Sequence, residues 1–139
     1  AEKVYEGNLF SKLKLLGLAL SSIEKSDDGL ISWMTISDEY FKKTKATIED
    51  TEGFINYPRS IEGVELVILF KETSSNYCKV SFRSGGKVNV ADLAAKFGGG
   101  GHHNAAGSVI PGKLSEVKER VLVEAMQIFK SSSKIRSIK

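Results

Sequence analysis

Residues 64–83 read VELVILFKETSSNYCKVSFR, and the two halves of this stretch carry different periods. Val64 to Phe70 is almost continuously apolar and rich in β-branched side chains, which suits a central strand covered on both faces. After a polar turn from Lys71 to Asn76, the segment Tyr77 to Arg83 alternates, with Cys78, Val80 and Phe82 on one face and Lys79, Ser81 and Arg83 on the other. A buried strand joined to a half-buried one predicts a hairpin at the centre of a sheet. The alternation also assigns Cys78 to the core rather than to chemistry, since no activating group stands near it in the sequence.

Working outward, Leu30 to Ile36 (LISWMTI) is a second short apolar run and predicts another strand. Ser37 is placed to cap a short helix reaching about Lys43, with Asp38 and Glu39 where the helix dipole favours negative charge. Thr47 and Asp50 repeat a capping spacing before Gly53 and predict one more helical turn, ended at Tyr57-Pro58. Toward the N-terminus Leu9, Leu13, Leu16, Leu20 and Ile23 recur at steps of three and four, which predicts an amphipathic helix over 8–25 with Asn8 as its cap and Asp27-Asp28-Gly29 as its end. Downstream, Asn89 caps a helix striped by Val90, Leu93, Ala94 and Phe97 that stops at Gly98. Ala105 to Ile110 is a further strand, and Leu114, Val117, Val121, Ala125 and Ile128 define a long closing helix followed by a basic, frayed tail. The expected fold is α+β, an α/β-like sandwich with one mixed sheet of about four or five strands and helices packed on it.

Composition bounds what such a fold can do. The 139 residues are 41% hydrophobic and 27% charged, which fits one globular domain and excludes a disordered polymer or a collagen. Twenty basic against seventeen acidic residues leave a formal charge of +3, too little for a protein that coats DNA, so any preference for anions must come from a local site. The single cysteine allows no internal disulfide, and no apolar run reaches the roughly 18 residues of a membrane span. These features suit a cytoplasmic protein with no membrane partner.

The segment Phe97 to Gly107, FGGGGHHNAAG, carries the chemistry. Four glycines in succession cost more backbone entropy than any other four residues, and a helix cap explains only the first. Gly99, Gly100 and Gly101 would let successive amides converge on a phosphate, with His102 adding a hydrogen bond or a charge. The P-loop is excluded because His-His-Asn follows the glycines instead of Gly-Lys-Ser/Thr, and the dinucleotide fingerprint because the helix precedes the loop here. Arg83, at a strand end beside Ser84-Gly85-Gly86, is placed to grip a phosphate with its planar fork, and Lys87 is a weaker candidate for the same role. His102 and His103 form no metal site, since neighbouring side chains diverge and no Cys, Asp or Glu lies between Asp92 and Glu116. His103 reads as a solvated surface residue.

At this point SFRSGGKVNVADLAAKFGGGGHHNAAG resembles the C-terminal DHH-associated domain of the DHH phosphoesterases, whose mark is GGGH-x-x-A-x-G, here Gly99 to Gly107. The upstream EDTEGFINYPRSIEGVELVILFKE is similar to the branch of bacterial oligoribonucleases and 3′-phosphoadenosine-5′-phosphate phosphatases, and the likeness runs from about Leu30 to Phe129. This resemblance implies a two-domain enzyme in which a manganese pair sits in an N-terminal domain and the C-terminal domain grips a short oligonucleotide or phosphonucleotide. It implies Gly99, Gly100, Gly101, His102 and Arg83 as the phosphate- and substrate-binding residues. No Asp-His-His segment occurs here, and none of the five aspartates neighbours a histidine, so the expectation is a fragment without catalytic residues or cofactor of its own. On that reading residues 1–26 are a linker helix from the N-terminal catalytic domain of the same polypeptide, 27–130 the substrate-binding domain and 131–139 a basic tail; a homodimer is left open. A stand-alone RNA-binding module and the equivalent domain of a cyclic-dinucleotide phosphodiesterase are the alternatives.

Overall fold

The computed structural model describes the backbone of residues 2–74 and 76–138 and the side chains of 9–74 and 76–130. Its centre is the pair read from the sequence: β3 (Leu66–Glu72) lies antiparallel to β4 (Tyr77–Ser84), with Val67 opposite Arg83 and Phe70 opposite Val80. Leu66 to Phe70 are all buried, and burying each such side chain contributes about 1.5–3 kcal/mol. That is why this strand sets the position of the others. β2 (Ile31–Ile36) runs parallel to β3, and β1 (Glu24–Lys25), β5 (Gly100–His102) and β6 (Ala105–Pro111) complete one mixed sheet in the order β1-β2-β3-β4-β6-β5. The α+β class holds, with six strands rather than four or five.

Helices cover the two faces unequally. On one face α4 (Val90–Ala95) and α5 (Leu114–Ile138) pack on Ile31, Leu66, Ile68, Phe70, Val80 and Phe82. On the other, α1 (Glu2–Ser21), a 3-10 turn (Ile48–Thr51) and α3 (Asn56–Arg59) cover Met34, Ile36, Val67 and Leu69 of β2 and β3, with Leu15, Ala19 and Phe54 inserted between the layers. α2 (Asp38–Thr44) packs against α1. Ser37 caps α2 by accepting from the Tyr40 amide, and Thr47 with Asp50 forms the capping box of the 3-10 turn, as their spacing predicts.

Several boundaries differ from expectation for local reasons. α1 spans Glu2–Ser21 instead of 8–25, because Ser21 and Ser22 turn their hydroxyls back on the carbonyls of Gly17 and Ala19. Ser22 Oγ also accepts from the Thr35 amide at 2.9 Å, and the freed chain adds β1 to the edge of β2. Pro58 lies inside α3 instead of ending the turn before it, in the first turn where its missing N–H is not needed. α5 continues to Ile138 where a frayed tail was expected. Lys139, the last residue of that tail, lies outside the described residues.

Candidate functional site

Paired residues on neighbouring strands share a face of the sheet, so the register locates each candidate side chain. Arg83 faces Ala105 across β4 and β6, and Ala105 faces His102 across β6 and β5. Arg83 and His102 therefore stand on one face, in one row, about 10 Å apart at the backbone. The next row along holds Ser81, Gly107 and Gly100, and the one after it Lys71, Lys79 and Val109. This is the face that α1, the 3-10 turn and α3 cover over β2 and β3. Beyond β3 it is open: Lys79, Val109, Gly100 and His102 are exposed, and Ser81, Arg83, Ala105 and Gly107 are half-buried.

The glycines divide their tasks. Gly98, at φ 77°, ends α4 in the left-handed conformation expected of a residue just past a helix. The Gly99 amide donates to the Ala94 carbonyl at 2.9 Å, and a β-carbon on Gly99 would collide with Ser108 Oγ and the Gly107 carbonyl. Gly101 has φ 150°, and a β-carbon there would lie 2.6 Å from Ala106 Cα. Gly100 has open space on its side-chain side. With the Gly99 amide bonded inward, the three glycine amides do not all face a ligand. Gly99 is bonded inward and closes the approach to β6, while Gly100 and Gly101 belong to a short edge strand whose tip exposes His102.

Arg83 is tied back to its own strand. Its Nη1 donates to the Phe82 carbonyl at 2.9 Å, which fixes the guanidinium over its own strand. The loop after it is tied down by Ser84 Oγ, accepting from the amides of Gly86 and Val88, and by Glu65, whose side chain accepts from the Lys87 amide at 2.8 Å. His103 has a role that the sequence reading missed. Although exposed, its Nε2 donates to the Gly86 carbonyl at 2.8 Å, and its own carbonyl accepts from the Val90 amide, so it clasps the hairpin tip to the loop behind Arg83. Lys87 is exposed in that loop.

Lys71 and Lys79 were also missed. They are direct cross-strand partners, and with Arg83 they put three cations on the open face. Burial first, then the charges of Lys79 and Arg83, hold the Lys71 ammonium below the usual lysine range. Among the described residues none of the three has a carboxylate within ion-pair distance; the two ion pairs, Lys42–Asp38 and Lys96–Glu124, lie elsewhere. A shallow pocket of about 420 Å³ opens here, with Lys71, Lys79, Ser81, Gly99, Gly107 and Val109 among its walls. The hairpin alternation already separated Lys79 from the core. Only the strand register brings Lys71 to its side.

Cys78 is fully buried, and burial with the nearby Glu72 charge pushes its thiol up to about 11, as its place on the core face suggested. Among the described residues no three His, Cys, Asp or Glu side chains gather as metal ligands. No helix among them is long and apolar enough to cross a membrane.

Residues 31–131 match the DHHA1 domain model, and the chain belongs to that family. It is 34% identical over 113 residues to the bifunctional oligoribonuclease and PAP phosphatase NrnA of Thermus thermophilus, covering 81% of this chain and 33% of that protein. The match covers about a third of the length of the Thermus thermophilus protein and of its Bacillus subtilis counterpart, and less of the two Mycoplasma ones. The crystal structure of an exopolyphosphatase-related protein from Bacteroides fragilis superposes with a TM-score of 0.75 at 33% identity, covering 86% of this chain and 36% of that one. A pGpG-specific phosphodiesterase from Vibrio cholerae shares the fold, with a TM-score of 0.63 at 15% identity over 91% of this chain and 42% of that one.

Proposed function

We propose that this domain is the substrate-holding part of a DHH-family phosphoesterase that hydrolyses short oligonucleotides, 3′-phosphoadenosine-5′-phosphate or both. The observation that carries this reading is the row Arg83, Ala105, His102 on the uncovered half-face, where a guanidinium and an imidazole flank a residue too small to block a ligand. The names of the relatives supply the substrate class. Metal-assisted hydrolysis is assigned to a catalytic domain in the rest of the polypeptide, and this chain's part is positioning. Arg83 donates to a phosphate of the substrate, His102 donates a second hydrogen bond, and the bond to the Phe82 carbonyl keeps the guanidinium in place. Fixing one phosphate converts an encounter into an oriented complex, which lowers the barrier by several kcal/mol without proton transfer from this half.

The test uses the full-length enzyme with a diadenylate substrate. Arg83→Ala and His102→Ala should each raise KM or lower kcat/KM by about tenfold or more, the effect of losing one charge-assisted contact. Unchanged kinetics in both variants would remove the row from the mechanism. A stand-alone RNA-binding module would instead make affinity rise with oligonucleotide length and fall steeply with salt.

A further inference from the structure

We propose that Lys71 and Lys79 form a second anion subsite on the open half-face, which takes a second phosphate of a ligand whose first phosphate is held at Arg83 and His102. This rests on the proposed function for the first phosphate and extends it to residues outside the glycine motif. Lys71 and Lys79 stand directly opposite one another on antiparallel strands, a pairing of like charges that destabilises a sheet unless something offsets it. Among the described residues no carboxylate within ion-pair distance does so. The half-buried setting of Lys71 sharpens the point, because its ammonium carries a desolvation cost as well as the repulsion. A solvated surface lysine avoids both.

The spacing sets the kind of ligand. Arg83 and Lys79 are four residues apart on β4, about 13 Å along an extended strand, so their side chains leave the sheet two rows apart. The row between them is Ser81, Gly107 and Gly100, which carries no large side chain, so a flat group can lie on the sheet. Val109, 57% exposed beside Lys79, adds an apolar edge. The ligand that fits is anionic at both ends with a compact body between them: a nucleoside carrying two separate phosphates, or a dinucleotide with a terminal phosphate.

The experiment is calorimetric titration of the 139-residue chain with adenosine 5′-monophosphate and with adenosine 3′,5′-bisphosphate. The unaltered chain should bind the bisphosphate about tenfold more tightly. Lys79→Met, at an exposed position, and Lys71→Met/Lys79→Met should remove that advantage and leave monophosphate binding unchanged, with circular dichroism confirming the fold. The subsite is overturned if the lysine variants leave bisphosphate affinity intact, if they weaken both ligands by the same factor, or if the unaltered chain binds neither at millimolar concentration. Arg83→Ala separates this from the first reading. Weakening of both ligands supports the Arg83 site whatever the lysines do, whereas no effect on either removes that site and with it the anchored two-phosphate geometry.

Discussion

Gly99 and Ser108 donate to the same acceptor, the carbonyl oxygen of Ala94, the amide at 2.9 Å and the hydroxyl at 2.8 Å. The end of α4, the start of β5 and the middle of β6 are thereby joined at one buried oxygen. No side chain fits between Gly99 and Ser108, whose Cα lies 2.7 Å from where a β-carbon would stand. Gly99→Ala should therefore destabilise the chain by about 3 kcal/mol or more, or prevent folding, as read by denaturant unfolding.

Gly100 gives the opposite expectation. With open space around its side-chain position, Gly100→Ala should change stability by less than about 1 kcal/mol. If it nevertheless weakens nucleotide binding, the outer surface of the hairpin touches the ligand. Together the two alanine variants separate the structural glycine from the accessible one.

Ser84 anchors the loop behind Arg83 by accepting from two amides, and it is itself buried. Ser84→Ala leaves both donors without that acceptor and should cost about 1–3 kcal/mol in unfolding measurements. Ser84 follows Arg83 directly in the chain, so if Arg83 holds the substrate, kcat/KM of the full-length protein should fall as well, even at temperatures where the variant is folded.

The lowered pKa of Lys71 makes a signed prediction for stability against pH. Around neutrality Lys71 is charged in the folded and unfolded chain, and the folded state carries the full cost of burial and of repulsion from Lys79 and Arg83. As pH rises through the depressed folded value toward the ordinary lysine value, the folded chain loses its proton first and the cost disappears. Lys71→Met should raise the melting temperature at pH 7, and this advantage should shrink in alkaline buffer. A melting temperature unchanged at pH 7 would contradict the electrostatic account.

Cys78, with its thiol pushed up to about 11 and no exposed surface, should resist disulfide-exchange reagents in the native chain at pH 8 and react once the chain is unfolded. Rapid labelling of the folded chain would show that β4 opens at its outer end.

The central hairpin was legible because its two halves carry unmixed patterns, one buried on both faces and one strictly alternating. Asn89 and Ser37 were legible for a related reason: a capping side chain acts within three residues of itself, so the sequence contains both partners. β5 was not. Its residues are glycines and a histidine with no strand preference, and pairing with β6 alone makes them a strand. The same limit hid Lys71 beside Lys79 and the bond from His103 to Gly86. Each depends on chain segments brought together by register or by a loop, which no local period records. Arg83 and His102 could be named in advance as candidates, but their common row follows only from the order β4-β6-β5.

On β4 the side chains that build the interior and those that meet the outside world take turns residue by residue, Cys78, Val80 and Phe82 against Lys79, Ser81 and Arg83. An odd-numbered position of this strand can exchange its chemistry while the even-numbered ones keep the scaffold standing. Such a surface can be retuned toward a different molecule by a handful of changes, at almost no risk to the architecture that presents it.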